Sequence, residues 1–580
     1  MSSILSSITK SKVFIIFSLL IYFILCSFCF KYFRHSFIGE EVGPFLDFAP
    51  KVVCDIGESG NNKYAIYQND NPQDFSGTLH NIGSLKMAVC RSEPFAYLWV
   101  LPNKRIVPIM KNEGSGAIFS EIQKFIFRDN YNLDFLRIHI YLAGAVTILM
   151  VWLFLKGFLD VESANAASIL LAASLPFLNE IHLIRFSSNY IYLFQIIIIF
   201  LGWKYFTTQK TKYFYLLSLA AGLAAYIKLT IIWMIVALAL LFIYYRPKFK
   251  LKPHVIVNGC LLFVIGCLPL LIYNVDSAGG SSRGIKARFL NGRLFAGINH
   301  VAGNIMANTG FFFKHMLQTF PLELLLLFAS AFLFIYYTVK NKTNDIFVKR
   351  ISFLWYLGFI MLAFIFISAY PGNESYYLNS YNFFIMPMAA TLVYLLKRKE
   401  VSSLNKKILK FSTFAIIAIS VFSVVCSLGR PGLFSPPSAR LGQNLTKYLE
   451  ENKIYEPVCF EYRLLGVIEY ISRGKIRPLN YYLMFDDLND YAMKIEVLKR
   501  VILSNPGKTF IISTSNGPPG KVTIRDLIYL SDSKKIPMYV EKISNDIYGG
   551  FVLIRLFDNV AGVKKLQLQD VLPVLVKTKL

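Results

Sequence analysis

Apolar runs long enough to cross a hydrocarbon core recur along this chain and limit what it can fold into. They lie at Val13 to Phe30, Ile138 to Leu155, Ala164 to Leu178, Tyr190 to Phe206, Tyr213 to Ile227, Leu229 to Tyr245 and Val255 to Tyr273. Others follow at Pro321 to Val339, Ile351 to Tyr370, Phe383 to Leu396 and Ile408 to Leu428. A helix needs roughly 20 residues to span lipid, and lipid offers no partner to an open backbone, so each run must be helical. The pattern predicts an α-helical polytopic membrane protein with about 11 transmembrane helices. Composition agrees: 55% of the residues are hydrophobic and 17% charged, too apolar for a soluble chain to cover its own surface.

The formal charge of +26 does not indicate a nucleic-acid reader, because the basic residues sit between apolar runs rather than on one polar face. Their placement is topological. Cytoplasmic loops retain Lys and Arg, and WKYFTTQKTK (203–212), RPKFKLK (246–252), VKNKTNDIFVKR (339–350) and KRKEVSSLNKK (397–407) are short and basic. With these loops and the N-terminus inside, the segments 31–137, 179–189, 274–320, 371–382 and everything after Arg430 fall outside. The first run follows Lys10 and Lys12, and no A-x-A-like cleavage site comes after it, so it reads as a retained signal anchor.

Beyond the linker GRPGLFSPPS the pattern changes. Strand-length runs such as PVCFEY, TFIISTS, PMYVEKI and FVLIRLF alternate with helix-like LTKYLEEN and YAMKIEVLKRVILSN, which predicts a soluble α/β domain. The expected organisation is a membrane domain over 1–434, including the first outer loop 31–137, and an extracytoplasmic α/β domain over 435–580. Cys54 and Cys90 share one outer loop and can pair in an oxidising compartment, whereas Cys26, Cys29, Cys260, Cys267 and Cys426 lie in apolar runs as small hydrophobes. No Walker A loop, GxGxxG, HExxH or Cys/His cluster occurs, so neither a cofactor nor a metal is expected.

Chemistry is expected at the outer face. Glu40, Glu41 and Asp47 follow the first helix within a few residues. A carboxylate in a crevice there is partly desolvated and basic enough to take a proton from a hydroxyl; the alternative is a pair of solvated boundary acids. Arg185 and Lys228 lie at helix ends, where cations either bind phosphate or snorkel to the interface. The loop DSAGGSSRGIKARFLNGRLFAG carries Arg283, Lys286, Arg288 and Arg293 beside glycines, a pattern that suits both a mobile lid over a lipid phosphate and an ordinary long outer loop. Lys111, Glu113 and His139 are secondary candidates, and Asn373-Glu374-Ser375 is a glycosylation triplet.

The order of several short motifs resembles the GT-C superfamily of polyprenyl-phosphate-sugar glycosyltransferases, in particular protein O-mannosyltransferases, lipid A aminoarabinose transferases and their bacterial relatives. Glu40-Glu41 stands where that family carries an acidic pair. Val107-Pro108-Ile109-Met110 stands for its PIM or HPP-like stretch, Arg137 for the Arg opening the second helix, and Ile184-Arg185-Phe186-Ser187-Ser188-Asn189 for S-R-x-x-R-P-D. Gly222-Leu223-Ala224-Ala225-Tyr226-Ile227-Lys228 stands for G-L-A-x-x-x-K. The resemblance runs over roughly residues 13 to 245. Asn189 replaces the usual acid, and the expected R-Y-L-L-P near the tenth helix reads Tyr377 to Pro387 with no Arg.

The resemblance implies inverting transfer of a sugar from a polyprenyl-phosphate donor to a lipid, glycan or protein acceptor, in a bacterial inner membrane. Glu40 or Glu41 would be the base. Asp47, Lys111, Arg137, Arg185, Asn189, Lys228, Arg283, Lys286 and Arg288 would line the substrate site. An O-antigen polymerase or ligase also has many helices and outer cations but does not need the acidic pair, and a transporter would show paired halves or broken helices at the midplane. The orientation is testable: reporter fusions after residue 435 should be active only in a periplasmic readout and fusions in loop 246–252 only in a cytosolic one. A cytosolic tail would refute it.

Overall fold

The computed structural model describes residues 14–33, strands between 52 and 116, residues 133–182, 187–245, 252–276, 298–341, 345–368 and 374–398, and most of 437–480, 491–513, 522–530 and 539–555. Two compact units partition the chain. One comprises Met1–Arg34, Glu113–Phe119 and Leu133–Phe434; the other comprises His35–Asn112, Ser120–Asn132 and Ser435–Leu580.

The first unit is helical. Its elements are α1 (Phe14–Phe33), α2 (Leu133–Phe158), α3 (Val161–Ala172), α4 (Leu175–His182), α5 (Ser187–Thr208), α6 (Thr211–Ile227) and α7 (Ile231–Tyr245). They continue with α8 (Pro253–Gly266), α9 (Leu268–Asp276), α10 (Ile298–Thr319), α11 (Pro321–Asn341), α12 (Ile346–Ser368) and α13 (Glu374–Lys397). Among the described residues, five helices are long and apolar enough to cross a membrane, or up to seven if two sharply bent pairs each count as one span. The chain is thus a multi-pass integral membrane protein. The expected run 408–428 lies almost wholly outside the described residues, and the count of about 11 is not reached within them.

Two helices differ from the expected topology. Asn274 to Phe320 was expected to be a loop, yet α10 occupies its second half and packs on α11 and α12. The sequence hides it because Asn299, Asn304 and Asn308 dilute its apolar pattern. Two of these side chains have structural partners: Asn304 Nδ2 donates to the Ile367 carbonyl at 2.6 Å and Asn308 Nδ2 to the Phe366 carbonyl at 2.9 Å. They satisfy the open carbonyls at the end of α12, which lipid could not. Segment 179–189 was likewise expected as an outer loop, and its first residues, Asn179 to His182, are helical, forming the end of the buried α4.

The centre of the bundle is α3, α4 and α13. Helix α13 packs on α3, α4, α5, α11 and α12 and is buried from Tyr377 to Tyr394. Asn379, Ser380, Asn382 and Thr391 lie inside the bundle rather than toward lipid, which is how polar residues are tolerated in a spanning helix. Helix α6 meets α8 at backbone distance. A Cβ added at Gly266 would lie 2.6 Å from the Leu219 carbonyl oxygen, and one at Gly222 would strike the Phe263 carbonyl. Gly222 of the family-like G-L-A-x-x-x-K stretch is therefore a packing residue.

One end of the bundle is clamped by charge. Asp160 caps α3 by accepting from Ser163 N at 2.7 Å. Lys397, in the last turn of α13, lies 2.7 Å from Asp160 and 3.0 Å from Glu162. Acids at one helix start and a cation at another helix end complement both dipoles. Beside them, Arg350 Nη1 donates to the Phe158 carbonyl that closes α2, at 2.6 Å.

The second unit holds a hairpin of β1 (Val52–Glu58) and β2 (Asn61–Tyr67), and an antiparallel meander of β3 (His80–Ile82), β4 (Leu85–Val89), β5 (Tyr97–Val100) and β6 (Ile106–Asn112). It also holds α14 (Pro437–Glu451), α15 (Tyr491–Ser504) and a mixed sheet in the order β11-β12-β10-β8-β9. Those strands are β8 (Val458–Cys459), β9 (Leu479–Asn480), β10 (Thr509–Ser513), β11 (Tyr539–Asp546) and β12 (Gly549–Arg555). Parallel pairs β10–β8 and β8–β9 adjoin antiparallel pairs β10–β12 and β11–β12. Edge strand β11 is irregular, its register shifting between Val540 and Lys542.

Leu445 and Leu449 of α14 pack with Cys459, Ile468, Ile511 and Leu553 in one core. The helix stops at Lys453, whose φ of 56° is left-handed, and Ile454 N bonds back to the Leu449 carbonyl at 2.8 Å. Ile454 then enters the same core as Leu449, the hydrophobic contact that accompanies this kind of cap. Lys494 of α15 and Asp526 form an ion pair at 2.8 Å with both side chains 4% exposed. Asp526 also accepts from Thr523 N at 2.7 Å and Thr523 Oγ1 at 3.0 Å. Lys494→Met would leave that carboxylate buried without its cation and should destabilise the unit by about 3–5 kcal/mol, read as faster proteolysis within 435–580 of the intact protein. Lys494→Met/Asp526→Leu should recover most of the loss.

Candidate functional site

The sequence between the first and sixth apolar runs carries most of the candidate site residues, and their supports can be built from the helices outward. Helix α2 is 26 residues long, roughly 39 Å, so its start and end lie near opposite faces of the bundle. The charge clamp stands at its end. Around its start the buried groups are polar.

Arg137, in the second turn of α2, is wholly buried and is among the largest fully enclosed side chains of the described residues. It lies close enough to Cys29 of α1 to interact electrostatically. One turn further along α2, Tyr22 Oη of α1 donates to the Tyr141 carbonyl at 3.0 Å. The Tyr141 hydroxyl in turn meets His182 Nδ1 of α4 at 2.7 Å, with the two rings stacked. His139, half-buried, meets the Tyr190 hydroxyl of α5 at 2.7 Å through Nδ1.

Helix α4 is short and buried along its whole length although it carries Asn179, Glu180 and His182. It diverges from α3 by 57° across Ala173 and Ser174, where Pro176 prevents a continuous helix by lacking an N–H and clashing with the preceding turn. The bend turns the polar end of α4 back beneath the start of α2. Asn189, the position where the family pattern has an acid, is buried, and its Nδ2 donates to the Glu180 carbonyl in the last turn of α4. A carboxylate could not donate there. The residues on both sides of 183–186 are therefore pinned: His182 to α2, Asn189 to α4, and Tyr190 to α2.

Lys228 closes α6. Its backbone is extended, its N–H bonds the Ala224 carbonyl, and its side chain is 8% exposed. Strand β7 (Ser115–Gly116), from the end of the first long loop, packs on α6. A Lys this enclosed is not a snorkelling anchor, which would leave its head in the interface.

The candidates divide as follows. Arg137, Asn189 and Lys228 are buried within the first unit. Lys111 is on β6 of the second unit. Glu40, Glu41, Asp47, Glu113, Arg185, Arg283, Lys286, Arg288 and Arg293 lie outside the described residues, as do Cys90 and Asn373. Sequence reading missed Tyr141, Glu180, His182 and Tyr190 as structural partners. The NEIH tetrad was the available signal: three polar residues adjoining an apolar run, which a helix crossing lipid would not carry unless it turned them inward.

A family model for dolichyl-phosphate-mannose-protein mannosyltransferases matches residues 121–273. That span contains Arg137, Arg185, Asn189 and Lys228, and the resemblance to GT-C polyprenyl-phosphate-sugar glycosyltransferases drawn from the sequence motifs stands on it. Among solved structures, the crystal structure of ArnT from Cupriavidus metallidurans bound to undecaprenyl phosphate is similar at a TM-score of 0.49 and 9% identity, covering 93% of this chain and 97% of that chain. No curated protein is significantly similar in sequence.

The pinned turn yields an expectation. Asn189→Asp should set a carboxylate against the Glu180 carbonyl and cost about 1–3 kcal/mol by losing a buried hydrogen bond. A lower unfolding temperature in detergent checks this, and Asn189→Gln should not restore it because the longer side chain misplaces the amide.

Proposed function

We propose that this chain is a membrane glycosyltransferase that moves a sugar from a polyprenyl-phosphate donor to an acceptor hydroxyl at the outer membrane face. The observation that carries the reading is the family match over residues 121–273. The family's name gives dolichyl-phosphate-mannose as its donor, and a dolichyl phosphate is one polyprenyl phosphate. Burial of Arg137 and Lys228 in that span supports it further, since enclosed cations suit a phosphate that must leave with its negative charge stabilised.

In the proposed reaction Glu40 or Glu41 takes the acceptor hydroxyl proton as its oxygen attacks the anomeric carbon. The bond to the donor phosphate breaks in the same displacement, inverting the configuration. Lys228, Arg185 and the cations of 283–293 hold the departing phosphate. Asp47, Lys111, Arg137 and Asn189 complete the substrate site, directly or through the elements they fix. No cofactor or metal takes part in this scheme. About 11 helices form the scaffold and the path for the polyprenyl chain, with the N-terminus cytoplasmic and the α/β domain 435–580 extracytoplasmic, orienting the acceptor.

The test supplies membranes containing the protein with labelled polyprenyl-phosphate sugars and follows label into lipid, glycan and protein fractions. Wild type should transfer, and Glu40→Gln or Glu41→Gln should reduce the rate by 10²-fold or more, roughly the contribution of a positioned base. Lys228→Ala should cost about 10²–10³. Unchanged transfer in both Gln variants would remove the acidic pair from the mechanism, and absence of transfer by the wild type with every lipid-linked sugar would refute the reading itself.

A further inference from the structure

The clamped end of the bundle carries a second set of lysines that are held differently. Lys397 is matched by Asp160 and Glu162. Lys156, in the last turn of α2, instead has its Nζ 4.6 Å from the centre of the Trp152 ring. That indole is itself fixed, because Trp152 Nε1 donates to Asn165 Oδ1 of α3 at 2.7 Å. Lys204, near the end of α5, has its Nζ 4.7 Å from the centre of the Trp203 ring and 5.6 Å from that of Phe200. Trp203 leans on α2: its ring meets Phe154 edge-on with centres 6.4 Å apart, and a Cβ added at Gly157 would strike its indole. The two lysines therefore belong to one patch, at the joined ends of α2 and α5.

Among the described residues no acid pairs with either lysine, and the hairpin that runs from Lys204 into α6 reads KYFTTQKTKY without one. Lys212, exposed at the start of α6 and lying over the Tyr213 ring at 5.3 Å, adds a third cation. An ammonium over an aromatic face keeps its charge and the N–H donors that point away from the ring. The rings also hold the lysines still, so an anion that meets them has less side-chain freedom to take away. The surface leading to the patch is apolar. Leu142, Val146, Leu149 and Leu153 are exposed along one face of α2, and Lys156 follows about two turns past Leu149 on that same face. In a helix that crosses lipid such a face meets acyl chains. A free anion has no use for that stripe, whereas a lipid can lay its chains along α2 with its phosphate at Lys156 and Lys204.

We propose that the ends of α2 and α5 form a binding site for the headgroup phosphate of an anionic phospholipid, in the leaflet opposite the proposed sugar-transfer site. Lys156 and Lys204 bind the phosphate, Trp152 and Trp203 hold the lysines in place, and the acyl chains lie on the α2 stripe. In the expected orientation this leaflet is the cytoplasmic one. A lysine that only snorkels takes any headgroup, whereas one that binds a lipid phosphate here gains from a net negative headgroup. The site is independent of the glycosyltransferase reading, and its test needs no reaction.

The full-length protein in detergent should be titrated with phosphatidylglycerol or phosphatidylcholine and its bound lipids counted by native mass spectrometry. Wild type should retain phosphatidylglycerol about 10-fold better or more. Lys156→Gln/Lys204→Gln should remove most of that preference, at about 5-fold per lysine. Lys156→Arg/Lys204→Arg should keep it, since Arg carries the same charge and also stacks on indoles. Lys252→Gln/Lys349→Gln takes the same charge from exposed positions at the starts of α8 and α12 and should leave the preference within about two-fold. If the Gln pair unfolds in detergent, the single Gln variants carry the comparison, each with its own loss. Equal retention of the two lipids by wild type would make the patch a plain interfacial anchor and overturn the proposal. An equal loss in the Lys252 and Lys349 control would overturn it as well, by showing diffuse surface charge. So would displacement of phosphatidylglycerol by millimolar inorganic phosphate, which marks a site for free anions.

Discussion

Lipid cannot hydrogen-bond to an interrupted backbone, and this constraint organises the central bundle. A continuous helix meets it alone. Once α3 ends and α4 starts at a new angle around Pro176, the exposed amides must find partners in protein, and Ser174 supplies two, its Oγ to Phe177 N and its carbonyl to Leu178 N. The same requirement acts at the end of α12, where Asn304 and Asn308 meet the last carbonyls. It acts again where Asn189 meets the Glu180 carbonyl. Among the described residues, Asn189, Asn304 and Asn308 are buried amides that serve places where helices stop. What they permit is a short helix carrying Asn179, Glu180 and His182 into the middle of an otherwise apolar bundle.

The bundle's two ends differ accordingly. At one, Asp160, Glu162 and Lys397 form a compact ion cluster, with Arg350 on the last carbonyl of α2. The charges there are mutually matched and complement the helix dipoles. At the other, Arg137 is enclosed, and Tyr141 with His182 and His139 with Tyr190 form pairs that link α2 to α4 and to α5. The asymmetry separates a fastening from the proposed site, and it puts Arg350 and Lys397, from two of the expected inner loops, at the fastened end.

Much of this was legible in the sequence. Apolar runs predicted the long helices because hydrocarbon thickness sets a length that few other structures need. Of the motifs that suggested a sugar transferase, Arg137 and the stretches 184–189 and 222–228 fall in the span matched by the mannosyltransferase family. Helix α10 was not legible, since its asparagines bond to carbonyls of α12 that only the folded bundle brings near. Nor was the role of Asn189, which as a departure from the family pattern looked like a loss and is a donor where an acid could only repel. Gly222 looked like part of a binding motif and is a close backbone contact with α8. Glu40, Glu41 and Arg185 fall outside the described residues, so their roles are drawn from the motif pattern.

The irregular register between Val540 and Lys542 has a consequence outside the membrane bundle. Strand β11 borders its sheet, and a flat border with unpaired amides invites a strand from another molecule. A bulge there twists the border and throws its spacing out of step with any regular incoming strand. Such a border resists fibre-like stacking between neighbouring copies, a hazard that grows when many chains are confined to one plane and cannot diffuse apart.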